Sequence, residues 1–179
     1  MSVKKESSGR RSVRAEVEVP GSTQSAAERR SAEAQLRELI DKFAPAHLRL
    51  IGAMRRWLRK RLPTAHEVVY EYREFLVISY SPNEHGYEGV LAIHASANGV
   101  KLYVNRGNEL PDPAKLLQGS GKLMRSINVE GASTLARPEV ARLIDEAIAR
   151  NQVPFAPAGR GPLVIRSASA KQPRRRRPA

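Results

Sequence analysis

YEGVLAIHASANGVKLYVNRGNELPDPAKLLQGSGKLMRSINVEG, running from Tyr87 to Gly131, is the stretch that decides the fold. Two alternating apolar runs, one ending near Ser96 and one covering Gly99 to Val104, flank Asn98-Gly99. An Asn-Gly pair in that setting predicts a β-hairpin, because a type I′ turn needs positive φ at both central residues. A long loop from Gly107 to Lys122 follows, holding Pro111, Pro113, Gly119 and Gly121. Within it Asp112 and Pro113 fit the cap and first position of one helical turn. Leu123 to Val129 alternates once more, with Leu123, Arg125, Ile127 and Val129 on one side, and predicts an edge or near-edge strand.

Working outward toward the N-terminus, His66 to Tyr72 also alternates, with Val68, Tyr70 and Tyr72 opposite Glu67, Val69 and Glu71. Phe75 to Tyr80 is apolar on both faces, as a central strand would be. Before these strands come two amphipathic segments. Leu36, Leu39, Ile40 and Phe43 form an i, i+3, i+4, i+7 stripe, with Ser25 placed to cap the helix. Glu33 stands four residues before Arg37, and Glu38 four before Lys42, in the favourable orientation for helix pairs. Pro45 suits the first turn of a second helix reaching Arg61, whose apolar set is Leu50, Ile51, Met54, Trp57 and Leu58. Arg49, Arg55, Arg56, Arg59, Lys60 and Arg61 crowd its other side and its C-terminal end, where cations complement the helix dipole and could also face a polyanion. Beyond Gly131 a further helix starts near Pro138 and buries Val140, Leu143, Ile144, Ala147 and Ile148.

The ends differ from this middle. Residues 1–24 are polar, charged and serine-rich, and 156–179 hold seven Lys/Arg and no acid. The formal charge of +13 divides as +3 over residues 1–30, +3 over 31–155 and +7 over 156–179. Disordered basic tails at 1–24 and 156–179 around a domain at 25–155 are therefore expected. Such tails either keep a protein soluble or hold a polyanion such as nucleic acid through counterion release. The run Arg174, Arg175, Arg176, Arg177 is the densest candidate contact. The chain has no cysteine, which excludes disulfides, thiolate nucleophiles and cysteine-based metal sites. No apolar run reaches the roughly 18 residues of a membrane span, and no apolar segment follows the N-terminal charges as a secretory signal requires. A cytoplasmic protein without a membrane partner is the expectation.

Chemistry-bearing motifs are few. Gly119-Ser120-Gly121-Lys122 invites comparison with a phosphate-binding loop, but Leu116 stands where the first glycine belongs, Leu123 follows the lysine, and a strand rather than a helix comes next. A looser anion nest of Gly119, Ser120, Gly121 and Lys122 with Arg125 is what remains. The histidines at 47, 66, 85 and 94 form no H-x-x-x-H or H-x-H pair. Glu67, Glu71, Glu74, Glu84 and Glu88 could offer hard oxygen ligands but lack any calcium-loop spacing, and read as solvated carboxylates. Tyr70, Tyr72, Tyr80 and Tyr103 lie on strands near basic residues, as base-stacking platforms do, although core or boundary packing accounts for them better. No catalytic residue, metal ligand or cofactor site is assigned.

The run PDPAKLLQGSGKLMRSINVEGASTLARPEVARLIDEAIAR, with the hairpin before it, resembles the YdhG-like family, a bacterial domain of unknown function. The resemblance is best over Val90 to Arg150 and extends back to about Ala32. It implies an α+β domain with helices on one face of an antiparallel sheet of about five strands. Some relatives have been discussed as frataxin-like iron chaperones, which depend on an acidic ridge. Here Glu28, Glu33, Glu38 and Asp41 are interleaved with Arg29, Arg30, Arg37 and Lys42, so the resemblance carries the fold and not the iron. The readings that follow are a non-enzymatic binding or interaction module, a nucleic-acid-associated protein using its tails and second helix, or an iron carrier.

Overall fold

The computed structural model describes residues 24–167. Helices α1 (Ala26–Ile40) and α2 (Pro45–Arg61) precede strands β1 (His66–Glu71), β2 (Phe75–Ser81), β3 (Leu91–Ser96), β4 (Gly99–Val104) and β5 (Arg125–Asn128). Helices α3 (Ala132–Ala136) and α4 (Pro138–Ala149) follow, and β6 (Leu163–Ser167) closes the described chain. The six strands lie in the order β5-β4-β3-β2-β1-β6. All neighbours are antiparallel except β1 and β6, which run parallel.

The five expected antiparallel strands are present, and a sixth, parallel strand makes the sheet mixed. The added strand comes from residues 163–167, inside the stretch expected to be a tail from residue 156 onward. Leu163-Val164-Ile165 is too short a run for periodicity to separate it from a loop. Its docking depends on a contact remote in sequence. A Cβ on Gly161 would lie 1.8 Å from the Ala65 carbonyl oxygen, so only glycine lets this backbone reach the start of β1. On the outer edge of β6 the Gln24 side chain accepts from Leu163 N at 3.0 Å and donates to Leu163 O at 2.7 Å. A side-chain amide thus covers backbone groups that an edge strand would leave unpaired.

The hairpin forms, with a shifted turn. Ser96 pairs with Gly99, so the two turn residues are Ala97 and Asn98, and Gly99 is already in β4. Gly99 has φ of 129°, while Asn98 is not among the residues with positive φ. A turn without positive φ at its centre splays the strands, and a glycine just after it restores the right-handed twist.

Strand register assigns the two faces. Val69, Ile78, Ile93, Leu102 and Ile127 stand in one transverse row, buried against the helices. The helices meet them with Leu36 from α1, Ile51, Met54 and Leu58 from α2, Leu135 from α3, and Val140 and Ile144 from α4. Ser25 caps α1 in a full capping box with Glu28, and Pro45 and Pro138 open α2 and α4. The predicted turn at Asp112 is present but is not helical. The Asp112 carboxylate accepts from Leu116 N and Leu117 N at 2.9 and 2.7 Å. Among the described residues, no helix is long and apolar enough to cross a membrane.

Candidate functional site

The cations of α2 divide into two populations. Arg55 and Arg59 turn inward beside the Ile51 and Leu58 stripe and meet Glu67, which β1 sends toward the helices, and Glu33, which α1 presents. Glu67 accepts five hydrogen bonds, two from Arg55, two from Arg59 and one from the Tyr80 hydroxyl. Glu33 accepts from Arg55 at 3.0 and 3.2 Å and from Arg59 at 2.5 Å. The Glu67 side chain is 3% exposed and that of Arg55 11%. Burial alone would raise both carboxyl groups; the guanidinium partners outweigh it, lowering Glu67 and holding Glu33 at about 2. Arg61 pairs with Asp145 at 3.3 Å, and its guanidinium lies 3.9 Å from the Trp57 ring centre.

Arg49, Arg56 and Lys60 form the second population. They are exposed and make no ion pair among the described residues. Positions 49, 53, 56, 57 and 60 follow helical spacing, so one stripe of α2 carries Arg49, Ala53, Arg56, Trp57 and Lys60. Between this stripe and α3 runs a shallow groove of about 620 Å³, lined by Ala53, Trp57, Ala132 and Leu135 with Arg56, Arg59 and Lys60. No carboxylate lines it. The sequence placed six cations in one cluster; the fold engages three of them with acids and leaves three facing outward.

A larger cleft of about 840 Å³ lies at the other end of β1, between the α1–α2 corner and the β1–β2 and β3–β4 turns. Tyr72, Phe75 and His94 in its lining belong to a row of rings on the face of the sheet away from the helices. Tyr72 stacks on Phe75 (4.4 Å between centres), Phe75 on His94 (4.9 Å), and His94 meets Tyr103 (5.4 Å). Cross-strand register brings these residues together, and of the four tyrosines considered as stacking platforms Tyr72 and Tyr103 belong to the row. Tyr80, named as a third, lies on the opposite face, 1% exposed, because it pairs with Glu67 in the register of β1 and β2. Burial and then Lys101 lower the His94 imidazole, keeping it neutral near neutral pH. In this cleft Lys42 and Arg73 are balanced by Glu71 and Glu74, and Lys42 bonds Glu71 at 2.6 Å. The rings also turn their faces to one another. A polyanion therefore gains more from the α2–α3 groove.

The residues singled out from the sequence fall elsewhere. Gly119, Ser120, Gly121 and Lys122 are exposed in the loop before β5. Arg125 donates to the Gly121 and Met124 carbonyl oxygens at 2.5 and 2.9 Å, so its guanidinium turns to the loop's acceptors. Arg174, Arg175, Arg176 and Arg177 lie outside the described residues. The carboxylates considered for a metal do not converge: Glu67 is enclosed by guanidinium groups, Glu71 bonds Lys42, and Glu84 faces Arg166. Among the described residues no group of three or more metal-ligating side chains is brought together. No protein-family model, curated protein or solved structure matches this chain.

Proposed function

We propose that this chain is a non-enzymatic binding module of the YdhG-like kind whose partner is a polyanion, nucleic acid, held along the outer stripe of α2. The observation that carries this reading is the groove between α2 and α3, where Trp57 meets two outward cations, Arg56 and Lys60, beside the acid-bonded Arg59, with no acid in the lining. A phosphate backbone supplies the missing negative charges, and an indole with cations beside it suits a base or sugar next to them. The basic tails add charge that raises affinity without reading sequence.

The test is fluorescence anisotropy of labelled duplex and single-stranded DNA with the full chain, over a series of salt concentrations. Binding is expected to weaken steeply with salt. Arg56→Ala with Lys60→Ala should lower affinity at low salt about tenfold and make the slope of log affinity against log salt shallower by about two. Loss of binding on deleting residues 168–179, with no change in the double variant, would place the contact on the tail and refute the groove. Absence of binding at low salt would refute the reading altogether.

A further inference from the structure

A third cavity, of about 330 Å³, shares Arg59 with the groove. Its walls are Leu62, Pro63 and Ala65 from the α2–β1 connection, Gly159, Arg160 and Gly161 from the approach to β6, and Arg29, Arg59 and Glu67. Four guanidinium groups, those of Arg29, Arg55, Arg59 and Arg160, share this corner with two carboxylates, Glu33 and Glu67. Arg55 and Arg59 already saturate both carboxylates. Arg29 comes no nearer to Glu67 than 3.9 Å and gives one nitrogen to the Gly161 carbonyl at 2.7 Å. Its Nε is buried and has no acceptor. Arg160, exposed at the mouth, makes no ion pair among the described residues.

We propose that this cavity is a binding site for a small oxyanion, a phosphoryl or carboxyl group, held by Arg29, Arg59 and Arg160. An anion there would accept from the Arg29 Nη2, which lies 3.9 Å from its nearest carboxylate oxygen, pair Arg160, and neutralise an excess of two positive charges. The volume matches that of about eleven water molecules, enough for a phosphate with part of its hydration. Apolar walls on one side strengthen each charge-assisted bond. The Glu67 carboxylate in the same wall is screened by its own donors. The Arg29 guanidinium is lowered, by burial first and then by Arg160 and Arg59, which agrees with a positive potential in the cavity. This site stands apart from the nucleic-acid reading, since Arg29 and Arg160 take no part in the groove.

The experiment is thermal unfolding of the full chain titrated with inorganic phosphate, and separately with acetate, against sodium chloride of equal ionic strength. Wild-type protein should show a saturable rise in Tm with phosphate, acetate or both, and the ion that saturates identifies the group bound. Arg160→Ala should weaken the apparent Kd about tenfold. Arg29→Lys, which keeps the charge but loses the planar guanidinium fork, should also weaken it. Arg56→Ala with Lys60→Ala should leave it unchanged. No rise beyond that of chloride, a rise equal in Arg160→Ala and wild type, or a rise abolished by the groove variant would overturn the proposal. Arg160 is exposed and outside every element, so its replacement leaves the fold intact and decides the question even if Arg29→Lys unfolds the chain.

Discussion

Glu67→Gln is the sharpest probe of this structure. It alters one atom of a side chain that is 3% exposed, and it removes the charge around which Arg29, Arg55 and Arg59 are arranged. The amide keeps the shape but points donors at donors, so the two bonds from Arg55, the two from Arg59 and the one from Tyr80 cannot all persist. Breaking a buried ion pair by deleting one partner costs about 3–5 kcal/mol, because the surviving charge stays buried without compensation. Against a total stability of about 5–15 kcal/mol, that is about a fifth of the fold or more. The fall in Tm should be about 6–20 °C for a domain of this size.

The single tryptophan, Trp57, lies on α2 next to the network, so urea unfolding followed by its fluorescence reads the transition directly. The second arm is Arg55→Met combined with Glu67→Met, which removes a cation together with its anion. Neighbours within one network do not behave additively, and the pair should recover at least about 1 kcal/mol relative to the sum of the two single changes. A loss below about 1 kcal/mol for Glu67→Gln, or strict additivity in the pair, would refute the claim that buried charge compensation organises this corner of the fold.

Acid should act on the same network. The lowered Glu33 and Glu67 contribute stability that is complete above the unfolded carboxyl value of 4.5 and is lost as pH falls toward about 2, where Glu33 protonates. The lowered His66 and His94 contribute in the same direction, beginning when the unfolded imidazoles protonate below 6.5, so urea midpoints should decline below that pH and steepen below 4.5. A midpoint constant from pH 7 to 4 would contradict this. Gly161→Ala should detach β6, since the new methyl would lie 1.8 Å from the Ala65 carbonyl oxygen; hydrogen exchange should show lost protection at residues 163–167 and stability should fall by at least about 3 kcal/mol, and wild-type protection there would refute the close approach. Phe75→Ala removes the ring between Tyr72 and His94 and should cost about 2 kcal/mol in urea unfolding while leaving DNA affinity unchanged; a loss of DNA affinity would move the nucleic-acid site to the aromatic cleft.

Local chemistry made α1, α2, α4 and most of the sheet legible, while the five-residue α3 carries no cap or stripe of its own to mark it. Ser25 with Glu28, Pro45 and Pro138 each mark a helix start by an interaction confined to one turn, and periodicities of 3.6 and 2 assign faces without knowledge of partners. What stayed hidden needed contacts across the chain. β6 exists because Gly161 can touch Ala65 and because β1 offers a free edge, and neither fact is local. The ring row is likewise a product of register: Phe75 and His94 lie 19 residues apart and become neighbours only when Val77 pairs with His94. Glu67 reads from the sequence as a solvated carboxylate, yet its pairing with the buried Tyr80 and the inward arginines makes it part of the interior.

The same reasoning shows why α2 misleads a reader of its sequence. All six of its cations satisfy one rule, that positive charge favours a helix C-terminal end or solvent, so composition alone cannot rank them. The fold ranks them by what other elements deliver. α1 and β1 bring Glu33 and Glu67 to Arg55 and Arg59, and α4 brings Asp145 to Arg61. These three are anchored, and replacing them would report on stability before it reported on binding. Arg49, Arg56 and Lys60 receive nothing comparable, which makes them the cations whose removal can change affinity without unfolding the chain. Arg59 is shared by the two regions, bonded to both carboxylates while lining both the groove and the oxyanion cavity. An Arg59 variant would therefore confound every reading at once, whereas Arg160, Arg56 and Lys60 separate them.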